Sequence, residues 1–134
     1  MGANSRKSDN LNEAILNIDL SHVSQAELSF FYLGKSDKQR SMPNVYPDHD
    51  KANGVSISND GLTWYKIMGS KELRSDKDGK HHVIDLNEHI ERIRENFDSE
   101  FSYTEDFYIK FQQYANRKSD KAVSQWDDIS VIAQ

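Results

Sequence analysis

One stretch near the C-terminal end combines aromatic, cationic and amide side chains in a pattern that could bind sugar. Tyr108, Lys110, Gln112 and Tyr114 recur at every second position, so an extended strand would place all four side chains on one face. An aromatic ring offers an apolar surface to the C–H side of a pyranose, and lysine and amide groups bond its hydroxyls. If this face is open and concave, it forms a carbohydrate-binding groove. The alternative is ordinary packing that covers a sheet, although two polar residues argue against full burial.

Other aromatic residues could add a stacking platform beside that strand. The candidates are Tyr46 in a long polar segment, Trp64 and Tyr65 in a hairpin, and Trp126 before the last apolar stretch. For Trp64, packing in the protein interior is the favoured interpretation. We assign Tyr46 and Trp126 to the predicted ligand-binding set.

Catalytic motifs are missing from the sequence. It holds no Gly-x-Ser-x-Gly elbow and no phosphate-binding Gly-rich loop. It also has no cysteine, which excludes a disulfide framework, a thiolate metal site and a cysteine nucleophile. His81 and His82 are adjacent, so a strand would turn them to opposite faces, and a zinc site is not expected. We expect a protein that is not an enzyme.

Length and charge narrow the possible partners. The chain has 134 residues, which suits one domain. Its formal net charge of −5 argues against a nucleic-acid partner, because phosphate binding needs a basic face. The charge also gives no support for binding to an anionic membrane, and no apolar run approaches the ~20 residues of a membrane span.

Hydrophobic residues alternate with polar ones in most of the chain, which predicts strands. Residues 1–11 are polar and are predicted to be a disordered leader, with one domain over residues 12–134. Asp85 is predicted to cap a short helix that ends near Asn96, with Phe97 on its buried stripe. The polar segments 34–51 and 69–80 are predicted loops. The predicted strands cover residues 14–20, 26–33, 55–58, 63–68, 82–84, 106–114 and 129–133.

Many strands and one short helix favour an all-β fold. We predict an antiparallel β-sandwich, because few segments could cross over between parallel strands. Residues 59–61 (Asn-Asp-Gly) are a strong hairpin turn signal between two of these strands. A jelly roll is the preferred version, since it brings the first and last strands together.

Three segments resemble a known group of domains. Residues 53–67, Asn-Gly-Val-Ser-Ile-Ser-Asn-Asp-Gly-Leu-Thr-Trp-Tyr-Lys-Ile, resemble a hairpin of the pattern Asp-Gly-Val-Ala-Ile-Ser-x-Asp-Gly-x-Thr-Trp-Tyr. Residues 107–116 resemble a Phe-x-Ile-Arg-Phe-Gln-Gln-Tyr-x-Asn strand, and residues 127–131 resemble a closing Asp-Asp-Ile-x-Val strand. Over about residues 12–133 the chain is similar to jelly-roll accessory domains of large secreted bacterial proteins. Those domains in turn resemble MAM domains and carbohydrate-binding modules.

The resemblance implies a structural calcium ion. Asp127 and Asp128 would supply carboxylates, together with Glu13 or Asn12 near the first strand, and Ca²⁺ takes six to eight oxygen ligands. The alternative is that the two aspartates accept backbone N–H bonds and only shape a turn. Two departures bear on this site: Asn53 stands where the pattern has Asp, and residues 120–126 are longer than the usual run and lack its Gly.

The resemblance also implies an extracellular setting and a binding role without catalysis. We expect a module that binds a polysaccharide or another glycan, or that accompanies a polysaccharide-acting or surface protein. The alternative is a protein-binding adhesion or spacer module, as in MAM-like domains. One sandwich fold hosts many unrelated ligands, so the resemblance leaves the ligand and the oligomeric state open.

Overall fold

Two antiparallel β-sheets carry most of the described residues, and their facing sides share one apolar core. The computed structural model describes residues 10–34, 41–73, 78–115 and 124–134. The wider sheet has five strands and the narrower sheet has three. The predicted all-β, antiparallel sandwich is therefore confirmed.

The strands and helices are numbered in the order of the chain. Their bounds are β1 (Asn10–Ile18), β2 (Ala26–Gly34), β3 (Val45–Pro47), β4 (Gly54–Ser58), β5 (Thr63–Gly69), α1 (Ser70–Leu73), β6 (Lys80–Asp85), α2 (Leu86–Asn96), β7 (Phe107–Ala115) and β8 (Ser124–Ala133). The wider sheet has the strand order β1-β7-β4-β5-β3, and the narrower sheet has the order β6-β2-β8. Every pairing between neighbouring strands is antiparallel.

Alternating apolar residues of β2 and β7 build the centre of the core. Phe30 of β2 and Phe111 of β7 are almost completely buried, and their rings meet edge to face with centroids 5.6 Å apart. Burying a phenylalanine side chain contributes about 2–3 kcal/mol. As predicted, β2 is a central strand, because it lies between β6 and β8.

The hairpin of β4 and β5 forms at the predicted turn. Asp60 accepts backbone N–H bonds from Leu62 (2.8 Å) and Thr63 (2.9 Å) through its Oδ1 atom. Gly61 follows with a φ of 78°, a left-handed conformation that favours glycine. The turn residues therefore set the register of the two strands.

Helix α2 begins at the predicted cap and packs against the core. The Asp85 side chain accepts the N–H of Asn87, and Ile90 and Ile93 are buried. Phe97 was predicted to continue this buried stripe, and that prediction is wrong. It is the C-cap residue with φ −132°, outside the helical range, and it is 42% exposed.

Several boundaries differ from the sequence-based predictions. Asn10 and Leu11 belong to β1, so the predicted leader is too long by two residues, and residues 1–9 lie outside the described part. β3 and α1 lie within segments predicted as loops. They have three and four residues, which is too short for a periodic pattern. Within the described ranges, neither helix is long and apolar enough to cross a membrane.

Candidate functional site

The outer face of β7, which would form a groove if it were open, is covered by another part of the chain. Residues 41–53 are here called the covering segment. Its strand β3 pairs with β5 at the far edge of the sheet, while the Tyr46 side chain and the backbone carbonyls of Asp48, Asp50 and Ala52 lie over the outer face of β7. Lys110 is 0% exposed and Gln112 is 1% exposed, so the expectation that their polarity prevents full burial is wrong. Tyr46 and Tyr114 are buried as well, whereas Tyr108 is half-buried.

Gln112 fastens the covering segment to the sheet. Its Nε2 atom donates hydrogen bonds to the carbonyl oxygens of Asp50 (2.7 Å) and Ala52 (2.8 Å). Its Oε1 atom accepts the Tyr46 O–H at 3.1 Å, and that hydroxyl lies 2.8 Å from Ser56 Oγ. Burial raises the pKa of Tyr46 well above its ordinary value of 10, so this phenol stays protonated. All the polar atoms of Gln112 are thus used in holding the fold.

Lys110 is enclosed by aromatic rings. Its Nζ atom lies 4.0 Å from the ring centroid of Trp64 and 5.1 Å from that of Tyr46. It donates to the carbonyl oxygen of Asp48 at 2.9 Å and lies 3.4 Å from Glu13 Oε2. Burial lowers the pKa of Lys110, and the Glu13 carboxylate opposes that shift. These contacts make Lys110 a second anchor for the covering segment.

The predicted aromatic platform is not assembled on one surface. Trp64 and Tyr46 belong to a buried cluster beneath the covering segment. Trp126 lies in the other sheet, where its ring contacts Phe30, Tyr32 and Phe111. These aromatic residues therefore pack in two separate parts of the interior.

The residues predicted to bind calcium lie in different sheets. Glu13 is in β1 of the five-stranded sheet, where its carboxylate contacts Lys110 Nζ and lies 2.9 Å from His49 Nδ1. Asp127 and Asp128 are in β8 of the three-stranded sheet, and both are exposed. Asp127 Oδ1 accepts the Asp128 N–H at 2.9 Å, the kind of turn bond offered by the alternative interpretation. Within the described ranges, no three acidic, histidine or cysteine residues group to hold a metal.

A groove lined by amide, cationic and aromatic side chains lies beside α2, and the sequence-based predictions did not include it. We call it the α2 groove, and its volume is about 590 Å³. Phe97 is its exposed aromatic residue. Its lining comes from the segment before β3, from β5 and from the exposed side of α2, and consists of Asn44, Lys66, Ile67, His89, Arg92, Asn96 and Phe97.

Hydrogen bonds hold the cationic side of the α2 groove in place. Arg92 Nη2 donates to the carbonyl oxygen of Lys66 at 2.9 Å and lies 2.9 Å from His89 Nδ1. Burial and the neighbouring Arg92 lower the pKa of His89 below 6.5, so its neutral ring can accept that bond. Asn96 Nδ2 donates to the carbonyl oxygen of Arg92. The guanidinium is thus fixed at the wall of the groove.

The sequence carries only a partial signal for this groove. His89, Arg92 and Asn96 follow one another at helical spacing, which marks a polar side of α2. Asn44 and Lys66 come from other parts of the chain and join them only in the folded structure.

Comparisons with known proteins assign no family to the chain. No model of a protein family matches it, no curated protein matches it, and no solved structure matches it.

Proposed function

We propose that this domain is a non-catalytic carbohydrate-binding module of a secreted protein, and that the α2 groove is its binding site. The observation that carries the proposal is the ring of Phe97, which is 42% exposed at the edge of a groove lined by amides and cations. Exposed aromatic rings bordered by hydrogen-bonding groups suit the two kinds of surface on a sugar.

Each part of the groove has a role in this proposal. Phe97 stacks on the C–H face of a pyranose ring, and the amides of Asn44 and Asn96 bond hydroxyl groups. Lys66 and Arg92 add two positive charges to a protein of net charge −5. Charge-assisted bonds to carboxylate or sulfate are stronger than neutral ones, so we infer a preference for acidic glycans.

Rigidity of the groove supports recognition. Arg92 already bonds the Lys66 carbonyl and approaches His89, so little side-chain freedom is lost when a ligand binds. A preorganised site loses less free energy to ordering on binding. The buried face of β7 has no part in this proposal.

The sequence resemblance points in the same direction. The hairpin of residues 53–67 and the strand of residues 107–116 resemble segments of secreted accessory domains. An extracellular location and a jelly-roll topology remain part of the proposal. A jelly roll was preferred because it brings the first and last strands together. These strands, β1 and β8, do not pair with each other but lie at the outer edges of different sheets.

Affinity electrophoresis against neutral, uronate-containing and sulfated polysaccharides tests the proposal. We expect slower migration in gels that contain an acidic polysaccharide. Phe97→Ala should weaken binding about tenfold, because an aromatic contact contributes on the order of 1–1.5 kcal/mol. Leu62→Ala is the matched control, since Leu62 is an exposed apolar residue (61%) outside the groove lining.

Two results would contradict the proposal. One is unchanged migration in every polysaccharide gel. The other is binding that Phe97→Ala and Lys66→Ala leave at the level of the Leu62→Ala control.

A further inference from the structure

An apolar groove runs between the outermost strands of the two sheets. We call it the edge groove; its volume is about 420 Å³. Ile15 is 50% exposed and Ile129 is 41% exposed, which is high for isoleucine beside a core. The lining comes from β1, β7 and β8 and consists of Ala14, Ile15, Leu16, Ile18, Phe111, Ile129 and Val131.

Unequal sheet width leaves this groove open. β1 is the last strand on one side of the five-stranded sheet, and β8 is the last strand of the three-stranded sheet. Within the part of the chain that the structure describes, no strand pairs with the outer side of either one. Ile129 and Val131 of β8 line this groove together with Leu16 and Ile18 of β1, so we infer that a further strand beside β8 would cover these two side chains of β1.

The backbone of β8 offers hydrogen bonds at this edge. Gln134 N–H donates to Gln25 O at 2.9 Å and Gln25 N–H donates to Gln134 O at 3.2 Å, so these two residues form a hydrogen-bonded pair. Such pairs alternate along an antiparallel ladder. Val131 and Ala133, which pair with Leu28 and Ala26, therefore turn their N–H and C=O groups away from β2.

Charge along the two strands selects the kind of partner. Residues 10–20 and 124–134 contain no lysine or arginine. Glu13, the one acidic residue of β1, already contacts Lys110 Nζ, so the exposed charge at this edge comes from Asp127 and Asp128. Asp127 and Asp128 are exposed on β8 itself. A second copy of this edge would bring like charges together, whereas a segment with lysine or arginine would meet opposite charges.

We propose that the edge groove binds an extended, basic segment of a partner protein, which pairs with β8 as a fourth strand of the narrower sheet. Alternate apolar side chains of that segment fill the groove over Leu16 and Ile18. Its lysine or arginine residues lie near Asp127 and Asp128. Addition of a strand to a free sheet edge is a general mode of peptide recognition. This surface is separate from the α2 groove, so the inference goes beyond glycan binding.

A synthetic peptide is the probe. Acetyl-Lys-Val-Ser-Val-Lys-Ile-Ser-amide has apolar residues at alternate positions, and a version with Glu in place of Lys reverses its charge. Titration of the ¹⁵N-labelled domain should move the amide signals of Ile129, Val131 and Ala133. The Glu peptide should bind several-fold to about tenfold more weakly at low salt, because exposed ion pairs contribute about 0.2–1 kcal/mol each.

Two N-methylated peptides test the backbone pairing. One carries N-methyl groups on its three apolar residues, and the other carries them on the polar residues between. A strand directs the N–H groups of alternate residues to opposite sides, so only one of the two peptides should lose binding. Equal behaviour of both peptides would overturn the proposed pairing.

Substitutions on the two faces of β8 give a matched protein control. Ile129→Ser should weaken peptide binding on the order of tenfold, because the side chain lines the groove. Ile132→Ser should leave it unchanged, since Ile132 is 55% exposed and does not line the groove. Both residues are exposed enough for the variants to fold, which a thermal melt checks.

Other occupants give distinct results that overturn the proposal. Concentration-dependent dimerisation in light scattering, lost in Ile129→Ser, would mean that a second copy covers the groove. Binding of the Glu peptide as tightly as the Lys peptide would remove the argument from charge. Amide shifts confined to other surfaces, or no binding of either peptide, would mean that β8 does not accept a strand.

Discussion

Substitution of Gln112 by methionine tests whether the covering segment is fastened to the sheet as described. Methionine keeps the length of the side chain and removes its amide. The carbonyl oxygens of Asp50 and Ala52 then lose donors at 2.7 and 2.8 Å, and the Tyr46 hydroxyl loses an acceptor at 3.1 Å. Water has little access, because Gln112 is 1% exposed and Tyr46 is 3% exposed.

The expected loss of stability follows from these three bonds. A buried polar group left without a partner costs about 1–3 kcal/mol, and the apolar methionine offsets a part of it, so we expect Gln112→Met to lower the free energy of unfolding by about 2–4 kcal/mol. That is a large share of the 5–15 kcal/mol of a typical domain. The melting temperature should fall by roughly 10 °C for a chain of this size.

A double-mutant cycle separates the network from simple loss of packing. Tyr46→Phe alone should cost about 1–2 kcal/mol, because Gln112 Oε1 loses its donor. The double variant should be more stable than the sum of the two losses predicts, by about 0.5–1 kcal/mol, since the residues share one bond.

Urea unfolding followed by tryptophan fluorescence and far-ultraviolet circular dichroism measures these values. Gln113→Met is the matched control, because Gln113 is the half-buried neighbour on the same strand. If Gln112→Met costs no more than Gln113→Met, or the cycle shows no coupling, the described fastening of residues 41–53 is wrong.

Three further predictions concern the turn, a buried histidine and calcium. Asp60→Ala should lower the free energy of unfolding by about 1–2 kcal/mol in urea titrations, because backbone N–H groups of the hairpin turn lose an acceptor; Asp60→Asn keeps that oxygen and should cost less. Burial, with Lys80 and His81 nearby, lowers the pKa of His82 below 6.5. As the pH falls through 6.5, the unfolded chain therefore takes up the proton first, and the stability of the folded protein decreases. In thermal melts between pH 8 and pH 5, the melting temperature of His82→Leu should decrease less than that of the unsubstituted protein. An equal decrease in both proteins would contradict this prediction. Calcium binding by Asp127 and Asp128 stays a prediction. An ion that binds the folded protein must make the melting temperature higher in excess Ca²⁺ than in chelator, and equal melting temperatures would contradict the predicted calcium site.

Sequence periodicity predicted those elements whose pattern is long enough to repeat. β2 and β7 have nine residues each, and alternation in them follows directly from burial of one face. The turn at Asp60 and the helix cap at Asp85 depend on local side-chain bonds, which neighbouring residues specify. β3 and α1 were missed because contacts with distant residues stabilise them: Tyr46 of β3 and Leu73 of α1 are both buried.

The surroundings of Lys110 and Gln112 and the lining of the α2 groove were harder to predict, because the residues that meet there lie far apart in sequence. Lys110 and Gln112 are polar, and polarity alone indicates exposure. Carbonyl oxygens 62 residues earlier, those of Asp48 and Asp50, satisfy them in the interior. The α2 groove likewise joins Asn44, Lys66 and residues of α2, and no local pattern brings these segments together.

The most direct test of the proposed function is an amide chemical-shift map of the ¹⁵N-labelled domain during titration with an acidic oligosaccharide such as oligogalacturonate. The proposal predicts saturable shifts at Asn44, Lys66 and Phe97, and in Phe97→Ala the shifts of Asn44 and Lys66 should need about tenfold more ligand. Shifts confined to other surfaces, or a spectrum that no acidic or neutral oligosaccharide changes, would contradict it.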